Sequence, residues 1–254
     1  MSEEILINVT PMECRVALVE NGTVQELFVE RTAKRGLVSN IYKGKVVRVL
    51  PGMQAAFVEI GLSRTAFLHV NDIIFPKKID AQNEQPLINE LLHEGQMITV
   101  QVMKDMLGSK GARLTTDLSI PSRYLVYMPF GEHIGISQRI ESEAERERLK
   151  ILTRLIRDEH SDSLKGGVIV RTAAEGISEE ELRQDMSYLI KLWQHINEKK
   201  IKIQTPTLIY EELPLYQRII RDLVIQDVAK IYIDSRETLG KIIEFVREFV
   251  PNAE

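Results

Sequence analysis

A chain of 254 residues that is 44% hydrophobic and 28% charged has material for more than one buried core, so two or three subdomains are expected. The acidic start Met1-Ser2-Glu3-Glu4 has no apolar segment behind it, and no run approaches the roughly 18 apolar residues of a membrane span, which argues against a secretory leader and a membrane protein. The single cysteine, Cys14, admits no internal disulfide and points to a reducing, cytoplasmic setting, while the net charge of −4 weighs weakly against nucleic acid until its distribution is read.

The chain opens as a three-stranded meander over 5–9, 15–19 and 23–30, in which Asn21-Gly22 supplies a hairpin turn because both residues tolerate positive φ. Cys14 lies in this alternating stretch, where a buried structural thiol is expected rather than a reactive one. Residues 31–58 then hold Arg31, Lys34, Arg35, Lys43, Lys45 and Arg48 with no acid, whereas acids gather at 141–147 and 179–181. Phosphate binding needs a local basic surface, not a basic protein; a solvated basic face with no partner explains the run equally well.

Residues 36–118 carry five short β runs punctuated by glycine, at 41–50, 54–60, 65–70, 97–103 and 112–116, which predicts a small closed barrel of the OB type. A loop insertion over 75–94, with Pro76-Lys77-Lys78 and a short helical stretch at 87–92, interrupts it. Helices follow from about residue 120. Ser142 with Glu145, and Ser178 with Glu181, form two expected capping boxes. Leu149, Leu152, Leu155 and Ile156 make an apolar stripe on the first helix. Leu182, Met186, Leu189, Ile190, Trp193 and Ile196 make one on the second, which assigns Trp193 to the core. A strand at 167–171 lies between these helices. The tail alternates strand 208–210, helix 215–228, strand 231–233, and a last helix capped by Ser235 with Leu239, Ile242, Ile243, Val246 and Phe249 on its stripe.

The chemistry-bearing constellation sits in the barrel segment. Phe57 and Phe67 fall on adjacent predicted strands, and exposed aromatics there give bases a stacking surface worth ~1–3 kcal/mol each, whatever the base. Lys43, Lys45 and Lys110 are candidates for phosphate contacts around it, Lys110 in the glycine-flanked loop Gly108-Ser109-Lys110-Gly111, which lacks the order of a Walker loop. Periodicity alone favours both phenylalanines inside the barrel; their pairing with a basic flank is what raises the outward alternative. His69, His93, His133, His160 and His195 are scattered without metal-ligand spacing, so no metal site and no catalytic residue is assigned.

Several long motifs are similar to the ribonuclease E/G family, and nearer to its G-type members. They are the run from Asn40-Ile41-Tyr42-Lys43-Gly44-Lys45 through Pro51-Gly52-Met53-Gln54-Ala55-Ala56-Phe57-Val58-Glu59-Ile60-Gly61, then Lys110-Gly111-Ala112-Arg113-Leu114-Thr115-Thr116, Pro121-Ser122-Arg123-Tyr124-Leu125-Val126, Ser137-Gln138-Arg139-Ile140-Glu141 and Val170-Arg171-Thr172-Ala173-Ala174-Glu175-Gly176. The resemblance implies a multidomain α+β chain: a ribonuclease-H-like domain interrupted by an OB-type (S1) β-barrel and an α/β 5′-sensor domain. On that pattern 1–35 is the first part of the ribonuclease-H-like domain, 36–118 the S1-type barrel, 119–206 the 5′ sensor and 207–254 the second part of the ribonuclease-H-like domain. The first strand carries Asn8 and no central aspartate, in keeping with the family's catalytically degenerate version.

Carried over by position, Arg171 and Thr172 are expected to hold a 5′ monophosphate, with Val126 and Ser122 near the terminal nucleotide and Arg139 in support. Without the resemblance, Arg171 pairing with Glu175 would be the simpler expectation. Ile60 stands where E-type members have a tyrosine, removing one stacking surface. The family cuts RNA with magnesium-binding carboxylates and an asparagine that lie further along its chain. Magnesium is therefore expected of the full-length endoribonuclease and not of this chain, which is expected to bind single-stranded, 5′-monophosphorylated RNA without cutting it. The family's zinc-link cysteines also lie downstream, which leaves the oligomeric state open. A stand-alone, non-catalytic S1-domain RNA-binding protein is the alternative.

Overall fold

The computed structural model describes residues 3–74, 86–108, 110–160, 164–223 and 228–249. In chain order its elements are β1 (Glu3–Val9), β2 (Glu13–Glu20), β3 (Thr23–Arg31), β4 (Ile41–Leu50), β5 (Ala55–Glu59), β6 (Ala66–His69), α1 (Ile88–Leu91), β7 (Met97–Lys104), β8 (Arg113–Thr115), β9 (Ile120–Pro121), β10 (Leu125–Met128), β11 (Ile134–Ile136), α2 (Glu143–Glu159), β12 (Gly167–Val170), α3 (Glu179–Lys202), β13 (Thr207–Tyr210), α4 (Leu215–Leu223), β14 (Val228–Ile233) and α5 (Arg236–Phe249). They fall into two compact units, Met1–Gly36 with Leu213–Glu254, and Leu37–Glu212.

The first unit is built on a four-stranded sheet ordered β14-β1-β2-β3, with β14 parallel to β1 and the meander antiparallel. Asn21 and Gly22 turn the hairpin with φ of 49° and 77°, as the Asn-Gly pair predicts. Alternation sends Ile5, Ile7 and Val16 to the face that α4 covers, where Ile219 and Ile220 are buried. The opposite face carries Leu6, Leu27 and Tyr232 in an exposed row, because Leu6 pairs with both Tyr232 and Ala17, and Ala17 with Leu27. Cys14 is half-buried and its thiol is pushed up to about 11 by that burial, which makes it a poor nucleophile. The α5 stripe differs from the expected one: Ile242 and Phe245 are buried, while Leu239 and Ile243 stay exposed. Rotation of a helix about its axis is set by what it packs on, and Phe245 buries more area than either of those aliphatics.

In the second unit β4, β5, β6, β8 and β7 close into a five-stranded, OB-like barrel, with β4–β7 the closing pair and β6–β8 its parallel pair. The five expected β runs match these strands closely. Val46, Ala56, Val58, Leu68, Val100, Val102 and Leu114 fill the interior, and Ile88 of α1 joins them. Gly111 is required where β8 begins: a Cβ there would lie 2.0 Å from the carbonyl oxygen of Thr65. The part of the predicted insertion at 75–85, with its Pro76-Lys77-Lys78, lies outside the described residues. The boundary expected at residue 207 moves. β13 adds antiparallel to β4, pairing Leu208 with Tyr42 and Tyr210 with Ile41, and the first unit resumes only at Leu213. A short apolar run reads the same whichever sheet it joins, so its partner could not be read from the sequence.

The same unit holds a second sheet ordered β11-β12-β10-β9, one face of which packs on α2 and α3. Leu125, Tyr127, Val168 and Val170 point into that core. They share it with Leu149 and Ile156 of α2 and with Leu182, Met186, Leu189 and Ile196 of α3. Trp193 packs edge-on against Tyr127 with ring centroids 5.6 Å apart, a core-side contact as expected. On α2 the buried positions are Leu149, Thr153 and Ile156, so Leu155 of the expected stripe is exposed instead. Ser178 and Glu181 form the full capping box. Ser142 forms only half of one, since the Glu145 carboxylate turns to Arg148 and to the Gly176 amide at 2.8 Å.

Candidate functional site

Two clusters in the second unit gather the candidate residues. The first lies on the barrel wall. Alternation puts Ala56, Val58 and Leu68 in the core, so Phe57 and Phe67 point outward; both are half-buried and neither belongs to the interior cluster. The core placement that periodicity favoured is thus not the one adopted. The rings meet edge-on with centroids 6.3 Å apart at 67°, and His69 follows Phe67 at 6.4 Å. The His69 Nδ1 accepts from the Asn71 amide, which places the ring hydrogen on Nε2.

Strand pairing extends this surface into a row. Phe57 lies opposite Arg48, Phe67 opposite Phe57 and Arg113, and Arg113 opposite Lys104. At about 4.8 Å per strand the row is roughly 20 Å wide, with cations at both ends and aromatics between. Arg48 and Lys104 are exposed; Arg113 is held by Asp72 through bonds of 2.8 and 3.2 Å. Sequence reading missed Arg113, Lys104 and His69 as site residues. The register that aligns them depends on two bulges, one in β4 between Val46 and Arg48 and one in β7 between Val102 and Lys104.

The three lysines expected beside the phenylalanines are not brought together. Lys45 is exposed but faces Glu59 across the strands. Lys110 is exposed just beyond Gly108, its amide bonded to the Leu107 carbonyl. Lys43 turns away: its Nζ donates to the Lys200 carbonyl at 3.4 Å, in the last turn of α3, where a cation complements the helix dipole.

The second cluster lies at strand ends. β11 and β12 run parallel and finish together, Ile136 opposite Val170, so the residues after each strand become neighbours. After β12 come Arg171 and Thr172; after β11 come Ser137, Gln138 and Arg139. The Thr172 and Ser137 hydroxyls are 2.9 Å apart. The Arg171 guanidinium donates through Nη1 to the carbonyls of Ser122 at 2.5 Å and Arg123 at 3.0 Å. Val126 lies opposite Ile169 on the sheet face away from the helices, where Ile169 is exposed and Gly135 on the next strand has no side chain. Together they form an apolar shelf beside the arginine. Arg139 is exposed, and its amide bonds to the Ser137 hydroxyl.

Two braces fix this strand-end region. Arg146 of α2 donates to the Ser137 carbonyl at 2.8 Å, and Glu145 accepts from the Gly176 amide. The Arg148 guanidinium and that amide hold the Glu145 carboxyl at about 2. This second duty is why Glu145 does not complete the capping box. The Ser122 side chain is fully buried, and its hydroxyl donates to the Asp185 carboxylate at 2.6 Å and to the Leu125 carbonyl at 3.0 Å. Ser122 meets the cluster through its carbonyl alone. Among the described residues no group of three or more His, Cys, Asp or Glu is arranged to hold a metal ion. No helix among them is long and apolar enough to cross a membrane.

The second unit thus joins an OB-like barrel with an outward aromatic–basic row to a sheet that presents a guanidinium and two hydroxyls at its strand ends. The pattern describing the Ribonuclease E/G family matches residues 119–254, and the chain belongs to that family. Ribonuclease G of Haemophilus influenzae is 54% identical over 253 residues, covering 98% of this chain and 50% of that protein. Ribonuclease G of Escherichia coli K12 is 51% identical over 256 residues, covering 99% and 51%. Ribonuclease E of the same organism is 37% identical over 253 residues, covering 98% and 23%, so the likeness is stronger to ribonuclease G. The chain spans about half the length of the ribonuclease G relatives it matches.

Proposed function

We propose that this chain is the RNA-recognising part of a single-strand-specific endoribonuclease of RNA processing and decay, and that it reads a 5′ monophosphate. In this reading 37–212 holds the S1-type barrel and the 5′ sensor, and the β1–β3 meander with α4, β14 and α5 forms a ribonuclease-H-like domain. In this reading cleavage and its magnesium are not assigned to residues of this chain.

The observation that carries the reading is the Arg171 guanidinium, held on two carbonyls beside the Thr172–Ser137 hydroxyl pair. A terminal monophosphate is dianionic and offers three oxygens; a planar guanidinium with adjacent hydroxyls supplies charge-assisted and neutral donors in fixed positions. A 5′ hydroxyl offers neither charge nor acceptors of that kind. The first base would rest on Val126 and Ile169, while the strand beyond it stacks on Phe57 and Phe67, with Arg48 and Lys104 on its phosphates.

The test compares binding of one short single-stranded RNA carrying a 5′ monophosphate, triphosphate or hydroxyl. The monophosphate is expected to bind tightest, with affinity for all three falling as salt rises through counterion release. Equal affinity for the three ends would remove the sensor reading while leaving the barrel reading intact.

A further inference from the structure

The loop that receives Arg171 is governed by a carboxylate behind it. Asp185, on α3 one turn beyond Glu181, is buried. Its Oδ1 accepts from the Arg123 amide at 3.1 Å, and its Oδ2 accepts from the Tyr124 amide at 2.9 Å and the Ser122 hydroxyl at 2.6 Å. The same short stretch turns its carbonyls the other way. The Ser122 and Arg123 oxygens accept from Arg171 Nη1, and the Tyr124 oxygen accepts from the Arg171 amide at 2.8 Å.

These contacts share peptide groups. The Ser122 carbonyl and the Arg123 amide belong to one planar unit, and the Arg123 carbonyl and the Tyr124 amide to the next. Each unit therefore has its N–H on Asp185 and its C=O on Arg171. Because the peptide is rigid, fixing the N–H fixes the direction of the C=O. Because the two dipoles are aligned between a carboxylate and a guanidinium, each bond polarises the next. Arg171 is thus steered, through these peptide groups, by a residue fourteen positions along the chain and on a different element.

Resting on the 5′-monophosphate reading, we infer that Asp185 is the positioning residue of this site: through two peptide groups it sets the guanidinium of Arg171 in the geometry that grips a terminal phosphate. The role requires both carboxylate oxygens as acceptors. Asparagine preserves the shape of the side chain but turns one acceptor into a donor facing a donor. A carboxylate that served only to hold α3 against the loop would alter stability without altering which 5′ end is preferred.

The experiment uses the full chain, one short RNA with a 5′ monophosphate or a 5′ hydroxyl, and Arg side-chain 15N NMR. In Asp185→Asn the monophosphate preference is expected to fall ~10-fold, the loss of a charge-assisted geometry. Affinity for the hydroxyl RNA stays within about twofold, since the barrel carries it. The restrained Arg171 Nη signals of the wild type are expected to average in the variant. Ser122→Ala removes one donor to Asp185 and leaves the two peptides in place, so a fall of only ~3-fold is expected. If Asp185→Asn does not fold, Ser122→Ala decides by the same two readouts. Unchanged preference together with unchanged Arg171 signals overturns the inference. A wild type with no preference sinks the monophosphate reading; the Arg171 signals then decide alone, averaging in the variants sustaining the positioning role and constancy ending it.

Discussion

On the proposed reading, the barrel wall and the strand-end cluster solve two different recognition problems. The wall offers area: two phenylalanines and a histidine on one face of a closed barrel, with cations at the margins, of which Arg113 is held by Asp72. The strand-end cluster offers geometry: one guanidinium held on two carbonyls, a hydroxyl pair at 2.9 Å, and braces from α2 and α3 behind it. Stacking with peripheral charge tolerates sequence and register, so it suits the body of a strand. A fixed charged fork discriminates, so it suits an end. The difference teaches that affinity and end preference should be separable by mutation.

The hardest blow to the comparison is removal of both rings. Phe57→Ala with Phe67→Ala should weaken binding of every RNA by about a hundredfold or more, equally for all 5′ ends, as titrated by fluorescence anisotropy. A loss confined to monophosphorylated RNA would merge the two regions into one site. Arg171→Ala should do the opposite, erasing ~10–100-fold of preference for the monophosphate, with hydroxyl-ended RNA affected no more than about twofold.

Acidity sharpens the account of the strand-end region. Burial pushes the Asp185 carboxyl up to about 6, against its hydrogen bonds. The folded state therefore binds this proton more tightly than the unfolded chain. Below about pH 4 both states are protonated, and above about 6 neither is. Between them the Asp185 contribution to stability falls as pH rises, by roughly 1.4 kcal/mol per unit. Urea melts of the wild type and Asp185→Asn across that window should show this slope in their difference, which removes the opposing effect of Glu145, whose carboxyl lies low. A flat difference would mean that the hydrogen bonds to Ser122, Arg123 and Tyr124 offset burial entirely.

The smallest effects separate cations that look alike in sequence. Arg48→Ala should weaken RNA binding a few-fold and lower the salt slope by about 0.7, as the loss of one phosphate contact to a single strand would. Lys43→Ala should leave both unchanged and lower only the melting temperature, because its ammonium serves the end of α3. Equal losses from the two would return Lys43 to the binding face.

Much of the fold was legible because local rules decided it. The Asn21-Gly22 turn, the five barrel strands and the Ser178–Glu181 cap follow from φ preference, period-2 alternation and side-chain capping, all set within a few residues. The site was legible in part. Phe57 and Phe67 could be picked as a pair, but whether they face in or out depended on which neighbours filled the barrel. Ala56, Val58 and Leu68 fill it, leaving the rings outside. The bond of the Ser122 hydroxyl to Asp185, sixty-three positions away, could not be read from local pattern.

What this chain's sequence determined by itself is the local order of strands, turns and helices, and the kinds of side chain available at its surfaces. The tertiary structure alone decided which of those side chains share a surface. Register across β4, β5, β6, β8 and β7 aligned Arg48 with Phe57, Phe67, Arg113 and Lys104, and parallel pairing of β11 with β12 brought Ser137 to Thr172. The physical reason is range. Turn preference and capping act over three or four residues, whereas strand pairing and burial join residues that the chain itself keeps far apart.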